Sequence, residues 1–220
     1  MIFVKGNVKT EKSNFNLMNT NMTNLLHQDG IAIYYEKAIP ENQIKQLFDE
    51  LFNNISWENE RVVMFGKEII TKRKVAFYSD PSIAYTYSSR TKIGLPWKET
   101  LIILKNIVES ITNEKYNACL LNLYHNGEEA MGWHCDNEKE IVTNSSIASL
   151  SIGASRKFSF KHKVTKETIS IQLENGSLLE MKGTIQANWW HSLPKSKKIT
   201  ESRINLTFRQ MHPPKGINEK

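Results

Sequence analysis

A mainly β fold with flanking helices, an α+β sandwich or jelly roll, is what this 220-residue chain predicts. Three observations carry that reading. Apolar residues recur at three-and-four spacing in two stretches before residue 112. From Tyr116 onward the period drops to two. The alternating segments, about eight of them, are separated by turns rich in Gly, Asn, Ser or Lys, the pattern of short strands in a closed β architecture.

In chain order, residues 13–24 are rich in Asn, Ser and Thr without a sustained period, and residues 1–27 are read as a flexible segment. One domain is expected over 28–212, with a short tail at 213–220. After Pro40, Ile44, Leu47, Phe48, Leu51, Phe52 and Ile55 form the apolar stripe of an amphipathic helix. After Pro96, Trp97, Leu101, Leu104, Ile107, Val108 and Ile111 form a second. Residues 61–90 read as strands and turns, with bends at Phe65-Gly66 and Asp80-Pro81. Strands then follow at 116–124, 130–136, 146–152, 156–162, 167–173, 177–181, 187–193 and 202–210. The helices, lying before the strands, are expected to cover one face of the β-core.

Hydrophobic residues at 40% and charged residues at 24% are ordinary for a globular chain and exclude wholesale disorder. A formal charge of +6 favours a polyanionic partner, and is compatible with nucleic acid without requiring it. Cys119 and Cys135 are too few for a disulfide framework, which points to a reducing compartment. No apolar run reaches signal-peptide or membrane-spanning length, so a soluble intracellular protein with no membrane partner is expected.

His134 and Asp136 lie two apart in an expected strand, where side chains share a face with backbones about 7 Å apart. His191, in a separate strand, is the best third donor. Two imidazoles and one carboxylate suit iron(II) and leave coordination positions open for a cosubstrate and oxygen. The competing readings are an accidental hydrogen-bonded pair and a structural zinc site, although closed zinc sites carry four ligands and often paired cysteines. Cys135 sits between two of the donors and is expected to face away from them with Trp133.

Alternation places Arg203, Asn205, Thr207 and Arg209 on one face of the last strand and Ile204, Leu206 and Phe208 on the other. If the polar face is interior, its two cations need partners, because leaving a buried charge unpaired costs roughly 3–5 kcal/mol. A dianionic ligand would satisfy them. Six strand steps part the arginines by about 20 Å of backbone, which gives them separate jobs. The alternative is a solvent-facing strand with surface ion pairs. Asn122 and Tyr124, two apart on an earlier strand, could add hydrogen bonds to the same ligand.

Asn122-Leu-Tyr124, Gly132-Trp-His134-Cys-Asp136-Asn-Glu138, Ile147-Ala-Ser-Leu-Ser-Ile-Gly153 and Arg203-Ile-Asn-Leu-Thr-Phe-Arg209 together resemble the AlkB family of iron(II)/2-oxoglutarate dioxygenases, closest to the branch that repairs alkylated DNA. The resemblance runs from about residue 60 to 210. It implies a double-stranded β-helix, that is a jelly roll, with N-terminal helices and a β-hairpin nucleotide-recognition lid at about 61–90. It implies Fe(II) on His134, Asp136 and His191, with Asn122, Tyr124, Arg203, Asn205, Thr207 and Arg209 around 2-oxoglutarate and Arg203 favoured for the remote carboxylate.

The implied reaction is oxidative dealkylation of N1-methyladenine and N3-methylcytosine in DNA. It consumes dioxygen, turns 2-oxoglutarate into succinate and releases formaldehyde. A methyl group on a pairing nitrogen is buried in a duplex, so the nucleotide must be flipped out or already unpaired. By the same resemblance Tyr87 stacks on the base opposite His134, Tyr85 and Glu138 make polar contacts to it, Phe65 fills the gap it leaves, and Arg73 meets DNA. Lys195, Lys197 and Lys198 are read as phosphate contacts or a merely solvated cluster. One departure from the family pattern is Asn137, where several relatives carry an acid, and it bears on base preference. An RNA demethylase of the same chemistry and a nonenzymatic nucleic-acid-binding jelly roll are the other readings. The expected partner is alkylated DNA, or RNA in the second case, and the expected state is a monomer, cytoplasmic in a bacterium or nuclear in a eukaryote.

Overall fold

The computed structural model describes residues 23–64, 67–87 and 90–213. In chain order the elements are β1 (Ile31–Tyr35), α1 (Glu41–Asn54), β2 (Glu58–Met64), β3 (Lys67–Ser79), β4 (Ala84–Tyr87), β5 (Arg90–Ile93), α2 (Glu99–Thr112), β6 (Ala118–Tyr124), β7 (Met131–His134), β8 (Ile147–Gly153), β9 (Arg156–His162), β10 (Thr168–Leu173), β11 (Leu178–Lys182), α3 (Ile185–Asn188), β12 (Trp189–Leu193) and β13 (Arg203–Arg209). Two sheets face each other. The larger runs β1-β11-β8-β13-β6-β3-β2 and the smaller β10-β9-β12-β7, while β4 and β5 form a separate hairpin. This is the expected jelly roll, and all eight strands expected after Tyr116 are present.

The central strands of the larger sheet are buried on both sides, which is why every residue of β13 is buried. One face packs Leu121, Leu150, Ile204, Leu206 and Phe208 against α1 and α2, through Ile44, Leu51, Leu104 and Val108. The helices thus cover one face of the β-core, as their apolar stripes predict. Asn113 ends α2 in the left-handed conformation, φ 56°, with its N–H donated to the Glu109 carbonyl at 2.9 Å. The other face of the sheet meets the smaller sheet around Phe158, Phe160, Leu179, Met181, Trp189 and Leu193. The functional side chains lie between the sheets.

Four details differ from the sequence reading. Strand β1 was not anticipated; it closes the edge of the larger sheet by pairing with β11, Ile33 opposite Glu180. Residues 24–26, assigned to a flexible segment, are tied down: Asn24 Oδ1 accepts the N–H groups of Leu26 and Ala32, and Leu26 is buried. The expected lid also shares its middle with the core, because β3 pairs with β2 at its start and with β6 from Lys74 to Ser79, burying Val75–Tyr78. The expected bend at Phe65-Gly66 lies outside the described residues, between the paired Met64 and Lys67. Finally, the strand expected at 130–136 stops at His134, for a reason that belongs to the site.

Two loops are pinned together beside the sheets. Gly127 donates to the Ile199 carbonyl and accepts from the Ser196 N–H, each at 2.8 Å. A Cβ at Gly127 would fall 2.0 Å from the Ser196 carbonyl oxygen, so only glycine allows this approach. Arg156, at the start of β9 and 1% exposed, donates to the carbonyls of Asn126, Glu129 and Pro194 and holds the same two loops from inside.

Leu206 sits at the centre of the sheet–helix core with no exposed surface. Leu206→Ala should cost about 2–5 kcal/mol. In denaturant unfolding this appears as a lower midpoint with an unchanged slope; a shift under about 1 kcal/mol would contradict the packing described.

Candidate metal centre

His134, Asp136 and His191 converge, with one donor atom from each lying within 4.8 Å of the others. Strands β7 and β12 pair with His134 opposite His191, which puts the imidazoles on the same face, ring centroids 4.2 Å apart. Asp136 Oδ1 lies 3.8 Å from His134 Nε2 and 4.0 Å from His191 Nε2. Cis ligands bonded at about 2.1 Å sit about 3 Å apart, so a modest inward movement seats an ion. The donor set, two imidazoles and a carboxylate on one side, fits iron(II) with open positions opposite.

Each donor is prepared by its neighbours. The Gly132 carbonyl, 2.9 Å from His134 Nδ1, can only accept, so Nδ1 carries the proton and Nε2 presents its lone pair. Burial, then the His134 imidazole beside it, pushes the His191 pKa down to about 3 and keeps the ring neutral. Burial would raise the Asp136 carboxyl, but the Arg209 guanidinium beside it leads the opposing effects and holds the pKa at about 2. Arg209 donates to Asp136 Oδ2 at 2.9 Å and leaves Oδ1 turned to the imidazoles.

Asp136 is beyond the strand because its N–H is committed elsewhere, to Gln186 Oε1 at 2.9 Å. Gln186 lies in α3, five residues before His191, so one amide links the two segments that carry ligands. Ending β7 at His134 also ends the strand alternation, and Cys135 borders the cavity. Its Sγ lies 3.6 Å from Lys163 Nζ.

The donors open into a cavity of about 640 Å³ between the sheets. One wall is the polar face of β13. Arg203 and Asn205 stand opposite Tyr124 and Asn122 of β6 in register, and all four are buried. Asn205 Nδ2 donates to Thr207 Oγ1 at 2.8 Å, and its Oδ1 accepts from Arg203 and from Ser149 Oγ. Arg203 Nη2 also donates to Ser151 Oγ at 2.9 Å. Arg203 is 2% exposed and has no acidic partner among the described residues. Burial lowers its pKa to about 10, so it stays charged at neutral pH. A buried guanidinium satisfied only by neutral oxygens fits an anionic ligand.

The structure therefore brings together all nine residues expected at the metal and the anion. Of the expected base contacts, Glu138 borders the cavity. Phe65 lies outside the described residues, as do the side chains of Tyr85 and Tyr87. Arg73 is corrected: it is 5% exposed and forms a buried ion pair with Glu60, with Nη1 3.4 Å from the Tyr124 hydroxyl, so it faces inward and not toward a phosphate. Lys195, Lys197 and Lys198 are exposed. The sequence reading missed Gln186, Glu60, Arg156, Ser149 and Ser151. The serines had a signal, a polar alternation inside an apolar strand; Gln186 had none.

The family model described as the 2OG-Fe(II) oxygenase superfamily matches residues 31–209. The chain is 38% identical over 199 residues to the Bos taurus protein named DNA oxidative demethylase ALKBH2, covering 86% of this chain and 72% of that one. It is 35% identical over 183 residues to the Bos taurus alpha-ketoglutarate-dependent dioxygenase alkB homolog 3, covering 78% and 63%. A solved structure titled "The structure of OsALKBH1" superimposes with a TM-score of 0.56 at 16% identity, over 81% of this chain and 97% of that one, a likeness of fold.

Gln186→Ala should weaken metal binding by about 10–100-fold, read by cobalt(II) titration, while thermal unfolding of the metal-free protein barely moves. An unchanged cobalt affinity would remove Gln186 from the site. Glu60→Ala should cost about 3–5 kcal/mol in denaturant unfolding, because it strands the Arg73 charge.

Proposed function

The chain belongs to the AlkB family of 2OG-Fe(II) oxygenases, and from that premise we propose that it removes methyl groups from N1-methyladenine and N3-methylcytosine in DNA. The observation that carries the reading is the buried, acid-free Arg203 on the same cavity as three metal donors. An anionic cosubstrate and a metal are the two partners whose chemistry these groups fit. Bound to His134, Asp136 and His191, Fe(II) would supply the oxidation of the methyl group, using dioxygen and 2-oxoglutarate.

The remaining work belongs to the protein. Arg203 holds the remote carboxylate of 2-oxoglutarate, aided by Asn205, Thr207, Asn122 and Tyr124. Arg209 keeps Asp136 ionised and oriented. Met131, Phe158 and Leu193 give the cavity an apolar wall that limits water around the reacting methyl group. On the family resemblance Tyr85, Tyr87 and Glu138 receive the flipped base and Phe65 fills its place. No helix among the described residues is long and apolar enough to cross a membrane. We read the protein as an intracellular monomer, cytoplasmic or nuclear according to its host, a reading supported by two free cysteines.

The test is incubation of a methylated oligonucleotide with the protein, iron(II), 2-oxoglutarate and oxygen. The unmodified base, succinate and formaldehyde should appear, and none should when 2-oxoglutarate is omitted; failure to restore either base would overturn the proposal. Matched DNA and RNA strands should be turned over with DNA preferred, and a large RNA preference would reassign the substrate. His191→Ala should abolish formaldehyde release with the fold retained by circular dichroism. Arg203→Met should raise the KM for 2-oxoglutarate by about 100-fold or more, and 2-oxoglutarate should no longer raise its melting temperature; an unchanged KM would place the carboxylate elsewhere.

A further inference from the structure

Each of the two paired strands that carry an imidazole donor carries a tryptophan immediately before it, Trp133-His134 in β7 and Trp190-His191 in β12. Neighbouring side chains in a strand take opposite faces. The fold that turns both imidazoles inward therefore turns both indoles to the outer face of the smaller sheet. Trp133 is 47% exposed there and Trp190 half-buried. Lys161 stands opposite Trp190 in register and reaches over Trp133, its Nζ 5.9 Å from the ring centroid. Lys166 Nζ lies 5.3 Å from the Trp190 centroid. None of β7, β9, β10 and β12 contains an Asp or Glu.

We propose that this outer face is a second nucleic-acid contact, where unpaired bases beyond the target's immediate neighbours stack on Trp133 and Trp190 while Lys161 and Lys166 hold the phosphates. The inference rests on the reading that the substrate is nucleic acid. Alternating ring faces and cations are what a single strand requires, since every base has a face to stack and every linkage a charge to neutralise. The topology gives the path. Strand β7 is the edge of its sheet and β2 the edge of the other, and both line the cavity, β7 through Met131 and His134. A strand leaving over the β2 edge would meet the exposed Glu58 and Arg61, with no exposed aromatic ring among the described side chains of β2. Leaving over β7 it meets Trp133, then Trp190 and Lys161, then Lys166.

The experiment compares the full-length protein with Trp133→Ala/Trp190→Ala, Trp133→Phe/Trp190→Phe and Lys161→Ala/Lys166→Ala. Fluorescence anisotropy reads the affinity for an unmodified single strand of fifteen nucleotides, and turnover is read on a trinucleotide with a central N1-methyladenine, too short to reach the face. The alanine pair should bind the long strand about tenfold or more weakly, and the phenylalanine pair should recover most of that loss. The lysine pair should flatten the dependence of log affinity on log salt by about 1.4, two phosphate contacts. Trinucleotide turnover should stay unchanged throughout. Unaltered long-strand binding in the tryptophan variants overturns the proposal. So does a matching fall in trinucleotide turnover. Absent trinucleotide turnover in the unmodified protein would count against the proposed reaction, while the binding comparison would still decide the surface.

Discussion

The buried pair between Asp136 and Arg209 is the interaction on which the site depends. Asp136 belongs to the segment after β7 in the smaller sheet, and Arg209 ends β13 in the larger one. Their 2.9 Å contact joins the sheets across the cavity. It also assigns the two carboxylate oxygens, Oδ2 to the guanidinium and Oδ1 to the imidazoles. Both partners are nearly inaccessible to water, so separating them would leave each charge buried and uncompensated. The sheet spacing and the state of the metal donor are therefore set by one contact.

A second charged assembly surrounds Tyr124. The guanidinium groups of Arg73, Arg156 and Arg203 lie 5.5, 5.7 and 5.5 Å from its ring centroid. Each is treated differently. Arg73 has the Glu60 carboxylate, Arg156 has backbone carbonyls, and Arg203 has neutral side-chain oxygens. The ring separates like charges that would otherwise repel at short range, and cation–π attraction offsets part of their burial. Of the three, Arg203 is the one left facing an anion-sized need.

How much of this was legible in the sequence follows from which interactions are local. Strand alternation is local, so the polar face of β13, the two-apart Asn122 and Tyr124, and the eight strands could be read directly. The helix stripes were equally plain. Convergence of His191 with His134 is not local; spacing made it a candidate and the family motifs supported it. Arg73 was misjudged because the family resemblance set it against DNA, and nothing local shows that its partner is Glu60, on another strand. Gln186 was invisible, since an amide that accepts one N–H leaves no periodic trace. The end of β7 was misjudged because alternation holds only while the ladder does, and with the Asp136 N–H bonded to Gln186 the ladder stops at His134.

Strand β3 carries a constraint on how this chain can vary. It is continuous for thirteen residues, its first half in the hairpin with β2 and its second half bonded to β6 beside Asn122. A single residue added or deleted within it would have to be absorbed as a bulge in the β2 ladder, which already shifts register between Asn59 and Arg61, because the β6-paired half is held with Phe77 opposite Leu120. Length changes in the β2–β3 hairpin are therefore confined to the part of β3 before Lys74. One continuous strand thus tethers a hairpin whose length can vary to a sheet whose pairing cannot.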